Sequence, residues 1–209
     1  MTCGAGGADN AAPRGTEALA APAAQNRRMD AIVAAALKKW PHVPHCYGWL
    51  ALDARGDWYM RDDRIQAAGP FPRVKGSRID HEKLREFIAR NYAADPSGAW
   101  FFQNGPQRVY VELEAAPWVW RLQIDPASGV IVTSHTGLPA VPGAAFVDES
   151  GRLFLASDIG LGLVHSLDMG VASDAVERGV WQPQEAAFEA LVSRFAYRLS
   201  PAAGPRATN

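Results

Sequence analysis

Three groups of residues have types and spacing that could do chemistry. "HVPHCYG" places His42, His45 and Cys46 within five positions. Imidazole and thiolate are zinc ligands, and this spacing is half of a site. The other half would have to come from His81, His135 or His165, because Cys3 lies in the N-terminal tail and the chain has no Cys-x-x-Cys. The expectation is therefore no metal and no cofactor, with Cys46 a small buried residue. Cys46 could also be a nucleophile. Neighbouring residues of a strand point to opposite faces, so His45 is a poor base for it and His165 would have to be brought in. "DIGLGLVH" has a faint likeness to a phosphate loop, but it is not Gly-x-Gly-x-x-Gly and no Gly-Lys-Ser/Thr follows. Its glycines read instead as places of close backbone packing, with His165 and Asp168 polar and nearby.

The third group is aromatic. Of seven tryptophans, Trp49, Trp58, Trp100, Trp118 and Trp120 lie in the β-rich part. Strand alternation gives Trp118 and Trp120 one face and Val119 and Arg121 the other. If the tryptophans were exposed, they would join Asn104, Arg108, Tyr110 and Arg121 in a surface suited to a flat or carboxylate-bearing ligand, with His165 and Asp168 as further polar candidates. The opposing expectation is a sheet buried on both sides.

These residues need elements to position them. Met29, Ile32, Val33, Ala36, Leu37 and Trp40 fall at helical spacing, which predicts a helix over Asn26 to Lys39 that ends before Pro41 and Pro44. Ser77-Arg78-Ile79-Asp80 fits a capping box for a second helix that ends near Asn91 and has Leu84, Phe87, Ile88 and Tyr92 on its apolar face. "AWFFQ", "RVYVELE" and "WVWRLQI" form a β-meander in which Asn104-Gly105 marks a hairpin. Gln182-Pro183-Gln184-Glu185 opens a last helix with Phe188, Leu191, Val192, Phe195 and Leu199 inward.

One pattern occurs three times: "WLALDARGDWYM", "RLQIDPASGVIV" and "AAFVDESGRLFL". Each carries an Asp shortly before a Gly between β-prone runs. The Asp can accept backbone N–H groups ahead of it and the Gly can take positive φ, so Asp53/Gly56, Asp125/Gly129 and Asp148/Gly151 read as hairpin turns. An Asp could serve twice, as turn-maker and as ligand.

Strands and helices are segregated, so the predicted class is α+β, with antiparallel hairpins and a meander packed with helices. A hairpin-then-helix module over about 48–92 and 144–198 suggests a repeated motif. The predicted organisation is a disordered tail at 1–25, an α+β domain at 26–139, a smaller hairpin-plus-helix unit at 140–200 after the linker "TGLPAVPG", and a loose tail at 201–209. Met29 is an alternative start.

The 209 residues are 48% hydrophobic and 21% charged, ordinary for a globular protein, with a formal net charge of −1. No basic field points to nucleic acid. No apolar run approaches the roughly 20 residues of a membrane span. Two cysteines make no disulfide framework, which implies a reducing compartment, the cytoplasm.

"CYGWLALDARGDWYM", "GSRIDHEKLREFI", "GAWFFQNGPQRVYVELEAAPWVWRL" and "GRLFLASDIGLGLVHSLDM" together resemble an uncharacterised proteobacterial family of unknown function. The middle segment is also similar to a second family of unknown function. In that family a Cys-Gly segment enters an "hxhxxDGxW" strand, a helix follows, and strands end in "VEDAPF". Here Ala115-Ala116-Pro117-Trp118 stands where that family has Asp-Ala-Pro-Phe. The resemblance implies an α+β fold with a repeated motif and a ligand-binding or signalling role, and it carries over no catalytic residue. The function expected is a non-catalytic small-molecule-binding or regulatory module. The alternatives are a small hydrolase or thiol enzyme using Cys46 with His165, and a protein-interaction module.

Overall fold

The computed structural model describes residues 30–40, 42–127 and 129–201. The predicted tails lie outside those residues, apart from Pro201. The first half of the chain runs α1 (Ala31–Lys39), β1 (Cys46–Leu52), β2 (Trp58–Met60), α2 (Asp63–Ala68), β3 (Ser77–Arg78), α3 (Glu82–Arg90), β4 (Tyr92–Ala94), β5 (Trp100–Asn104) and β6 (Gln107–Leu113). The second half runs β7 (Trp118–Asp125), β8 (Gly129–Ser134), β9 (Pro139–Ala140), β10 (Pro142–Val147), β11 (Leu153–Ser157), β12 (Gly160–Val164), a 3₁₀ turn (Ser166–Asp168), α4 (Met169–Glu177), β13 (Gln184–Glu185) and α5 (Phe188–Arg194).

The strands form two mixed sheets with few helices, an α+β arrangement dominated by β structure. The first sheet has the order β3-β2-β1-β6-β5-β4 and the second β13-β10-β11-β12-β7-β8-β9. Each has one parallel pair at its centre, β1 with β6 and β12 with β7, flanked by antiparallel hairpins. Read from the opposite edge and without β13, the second order equals the first with six added to each index. The strand correspondence is thus β1–β2 with β7–β8, which matches the Asp53 turn with the Asp125 turn. It differs from the hairpin-plus-helix match expected between 48–92 and 144–198.

The hairpin turns follow from the Asp…Gly spacing. Gly56, Gly129 and Gly151 have φ of 81°, 84° and 74°, and Gly98 has 79° after Asp95. At three of these turns one carboxylate oxygen accepts two backbone N–H groups, Arg55 and Asp57 onto Asp53, Ser97 and Ala99 onto Asp95, and Ser150 and Arg152 onto Asp148. The side chain supplies the acceptors that a tight reversal otherwise lacks.

The expected meander of three successive strands is split, because β5 and β6 pair in the first sheet while β7 pairs with β12 and β8 in the second. Further local expectations are also corrected. Ser77 and Arg78 pair with β2 rather than capping α3; the cap is His81, whose Nδ1 accepts from the Leu84 N–H at 3.3 Å. Gln184 and Glu185 add to the sheet edge beside β10, so the last helix starts later, at Phe188. The predicted first helix runs over Ala31–Lys39, its expected start at 26–29 lying outside the described residues. It buries only Val33 and leaves Ile32 80% exposed. The segment Thr136–Gly143, expected as a linker, contains β9 and the start of β10. Trp58 and Tyr92 of the first sheet meet Trp118 and His135 of the second half in one aromatic cluster, and the apolar core runs continuously through both sheets.

Candidate functional site

Trp118 and Trp120 are core residues. They are 5% and 0% exposed, and their indole N–H groups donate to the Ile159 and Leu155 carbonyls. A Cβ on Gly162 would enter the Trp120 indole and lie 2.8 Å from Trp118 Cβ, so the glycine of "GLGLVH" serves backbone packing in β12. The two indoles thus offer no open face to a ligand.

The other proposed ligand residues fall into two places. Asn104, Arg108 and Tyr110 sit on the first sheet. The Arg108 guanidinium lies 4.5 Å from the Phe101 ring, and Tyr47 stacks on Tyr110 at 4.6 Å. The Tyr110 hydroxyl donates to Asp95 Oδ2 at 2.9 Å, so it braces a turn. Arg121, His165 and Asp168 come together on the second sheet. The Arg121 Nε and Nη2 donate to the two Asp168 oxygens at 2.6 and 3.2 Å, and the Leu122 N–H adds a third bond at 3.0 Å. Burial pushes the Asp168 carboxyl up, but Arg121 and the Leu122 N–H outweigh it and hold the group below the usual range. His165 caps the 3₁₀ turn through Nδ1, which accepts from the Leu167 N–H at 3.0 Å. Burial first, then the Arg121 charge, lowers its pKa.

That cap matters for the thiol-enzyme reading. A neutral imidazole has one lone pair, and on His165 it is engaged by a backbone N–H. Cys46, a half-buried free thiol, lies on β1 opposite Val109 in the first sheet. It is less buried than expected, because it opens the strand beside a register shift. Among the described residues no three His, Cys, Asp or Glu side chains converge as metal ligands.

Where the two sheets meet, the β1–β2 turn packs onto the second sheet. A Cβ on Gly56 would lie 2.8 Å from His135 Cβ and 3.5 Å from Val119 Cβ. His135 Nδ1 accepts from the Val119 N–H at 3.3 Å, its Nε2 is buried with no partner among the described residues, and burial pulls its pKa to about 3. Beside this contact is an open cleft of about 330 Å³ lined by Gly56, Trp58, His135 and Thr136 together with Arg85, Arg90 and acidic residues of α3. Arg90 lies 3.4 Å from Asp30, whereas Arg85 and Glu82 have no ion-pair partner among the described residues. Behind the turn, Lys75 bridges Asp53 at 2.9 Å and Glu114 at 3.0 Å, and the Tyr59 hydroxyl donates to Asp53 at 3.1 Å. Asp53 is therefore a turn-maker and an ion-pair partner at once. Sequence reasoning missed Arg55, Arg85 and Thr136, and weighed His135 only as a metal ligand. Only the Asp53–Gly56 spacing, which marks an exposed turn around Arg55, was a usable signal.

The profile of the DUF2944 family, described as "Protein of unknown function (DUF2946)", matches residues 29–202. The chain belongs to that family. Among solved structures, a DUF1285 family protein from Silicibacter pomeroyi DSS-3 is similar at 12% identity, with 74% of this chain and 80% of that chain covered and a TM-score of 0.45. No curated protein matches the chain. Both likenesses are to families of unknown function, as the sequence resemblance implies. No helix among the described residues is long and apolar enough to cross a membrane.

Proposed function

We propose that the protein is a non-catalytic small-molecule-binding module that takes its ligand at the seam between the two sheets. The observation that carries this reading is the cavity of about 330 Å³ between α3, the β1–β2 turn and the β8–β9 turn. Its size falls in the range of small-ligand sites, and such sites favour junctions between structural units. Arg85 and Glu82 offer a cation and an anion on one wall, which suits a polar ligand bearing both charges. Binding rather than turnover is favoured because the histidine lone pairs at His81, His135 and His165 are each engaged by a backbone N–H, so none of the three is ready to act as a general base. The free thiol of Cys46 is in keeping with a cytoplasmic setting.

A thermal-shift screen of zwitterionic metabolites tests the proposal. A ligand at about 100 times its Kd stabilises the folded state by about 2.7 kcal/mol, enough to raise Tm by several degrees. The shift should vanish in Arg85→Ala, an exposed position whose loss leaves the fold intact. Ligand-induced shifts that persist unchanged in Arg85→Ala would place binding elsewhere and refute the cavity as the site.

A further inference from the structure

On the other side of the β1–β2 turn, Arg121 and His165 present N–H donors beside the carboxylates of Asp168 and Asp57. A guanidinium carries five N–H groups and no acceptor. Arg121 spends two of them on Asp168, and its side chain remains 48% exposed, so the rest of the fork is open. His165 accepts at Nδ1, so its ring proton sits on Nε2 and that nitrogen can only donate. The β12 strand that leads into His165 is fixed beside β7, because the His165 N–H donates to the Trp120 carbonyl at 2.9 Å. Arg55 sits at the tip of the turn whose Gly56 reaches Val119, two residues before Arg121. It is exposed, has no side-chain partner among the described residues, and its charge acts on the His165 ring.

The nearest acceptor is already committed. Asp168 serves Arg121 and the Leu122 N–H, while Asp57 turns one oxygen toward Arg78 at 3.4 Å on the exposed side of the turn. We infer that Arg55, Arg121 and His165 form an anion site across the seam of the two sheets, selective for a small oxyanion, either a carboxylate or a phosphate group. Asp168 acts as a positioning residue: it holds the Arg121 fork at a fixed orientation, so less side-chain freedom is lost when the anion binds. The site is separate from the cavity beside α3 and stands without it.

The test is an NMR titration of the full chain with inorganic phosphate and, in a second arm, with succinate, each at constant ionic strength made up with chloride. The expected result is saturable shifts at the backbone amides of residues 54–57, 121–122 and 165–168 with one of the two anions, and none with chloride alone. Arg55→Gln lies on an exposed turn and should weaken the affinity about tenfold while leaving the spectrum otherwise unchanged, since one charge-assisted hydrogen bond is worth roughly that factor. Arg121→Gln should weaken it at least as much. If that variant loses its fold with the Asp168 pair, Arg55→Gln alone decides. Arg85→Ala should leave these shifts in place, which separates the anion site from the cavity. Shifts that track ionic strength equally for chloride, phosphate and succinate, or an affinity unchanged by Arg55→Gln, would overturn the inference.

Discussion

Acid should destabilise this protein through His135 before its carboxylates respond. The imidazole is packed among Trp58, Tyr92 and Trp118, its Nδ1 is engaged, and its Nε2 is buried. Burial lowers its pKa from 6.5 to about 3, against a small opposing pull from Asp53. The unfolded chain takes up a proton as pH falls through about 6.5, and the folded chain does not until about pH 3. Stability is therefore full above the unfolded pKa and falls with acid by about 1.4 kcal/mol per pH unit across that window. Between pH 7.5 and 5.0 the loss from His135 alone is about 2 kcal/mol. Asp53, Asp95, Asp148 and Asp168 are held below their ordinary values, so their contributions are lost only at lower pH. His165 is also lowered and adds a loss in the same window, so the measurement must isolate His135. Urea denaturation of the wild type and His135→Asn at both pH values does so, because the Asn oxygen can replace Nδ1 as acceptor for the Val119 N–H. The variant should be less stable at pH 7.5 but lose about 2 kcal/mol less on going to pH 5.0. Parallel losses in the two proteins, or a His135 ring that titrates near pH 6.5 by NMR, would refute the reasoning.

Three further changes test the framework that holds the site. Gly162→Ala puts a methyl into the Trp120 indole, and tryptophan-monitored unfolding should show a loss of about 1–3 kcal/mol; a neutral result would mean that β12 and β7 are not packed as described. Gly56→Val combines a φ of 81° with a Cβ 2.8 Å from His135 Cβ, so a loss of about 2 kcal/mol or more is expected in chemical denaturation, and a well-tolerated valine would contradict the seam contact. Lys75→Met leaves the Asp53 carboxylate, whose side chain is 1% exposed, with only backbone and Tyr59 donors. Its cost should be about 1–3 kcal/mol and should be partly recovered by Lys75→Arg, whereas an unchanged midpoint would show that Lys75 is not part of the clasp.

The turns were legible in the chain because their causes are local. An Asp that accepts backbone N–H groups just ahead of it, followed by a Gly at positive φ, is complete within five residues, so Asp53, Asp125 and Asp148 could be read from spacing alone. The α+β class, the β5–β6 hairpin and the helix at Glu82–Arg90 were legible for the same reason, since alternation and helical periodicity are short-range signals. The expected three-strand meander was not, because β7 leaves β6 and joins the other sheet. The last helix was read too generously at its start. Gln184 and Glu185 have no strong preference of their own, and the free edge of β10 decided that they would pair.

What only the tertiary structure decided was which residues meet. Strand alternation puts Trp118 and Trp120 on one face, but it cannot say whether that face is covered. Their burial comes from β11, β12 and the first sheet, brought in from distant parts of the chain. The parallel pairings of β1 with β6 and of β12 with β7 join segments that no hairpin rule connects. The approach of Gly56 to His135 and Val119, which sets the β1–β2 turn against the second sheet, depends on how one sheet docks on the other. By itself the sequence determined the turns, the class and the absence of a strong basic or apolar field, because each follows from neighbours or from composition. The seam, and with it the candidate site, arises from contacts between residues far apart in the chain, whose energies no local pattern records.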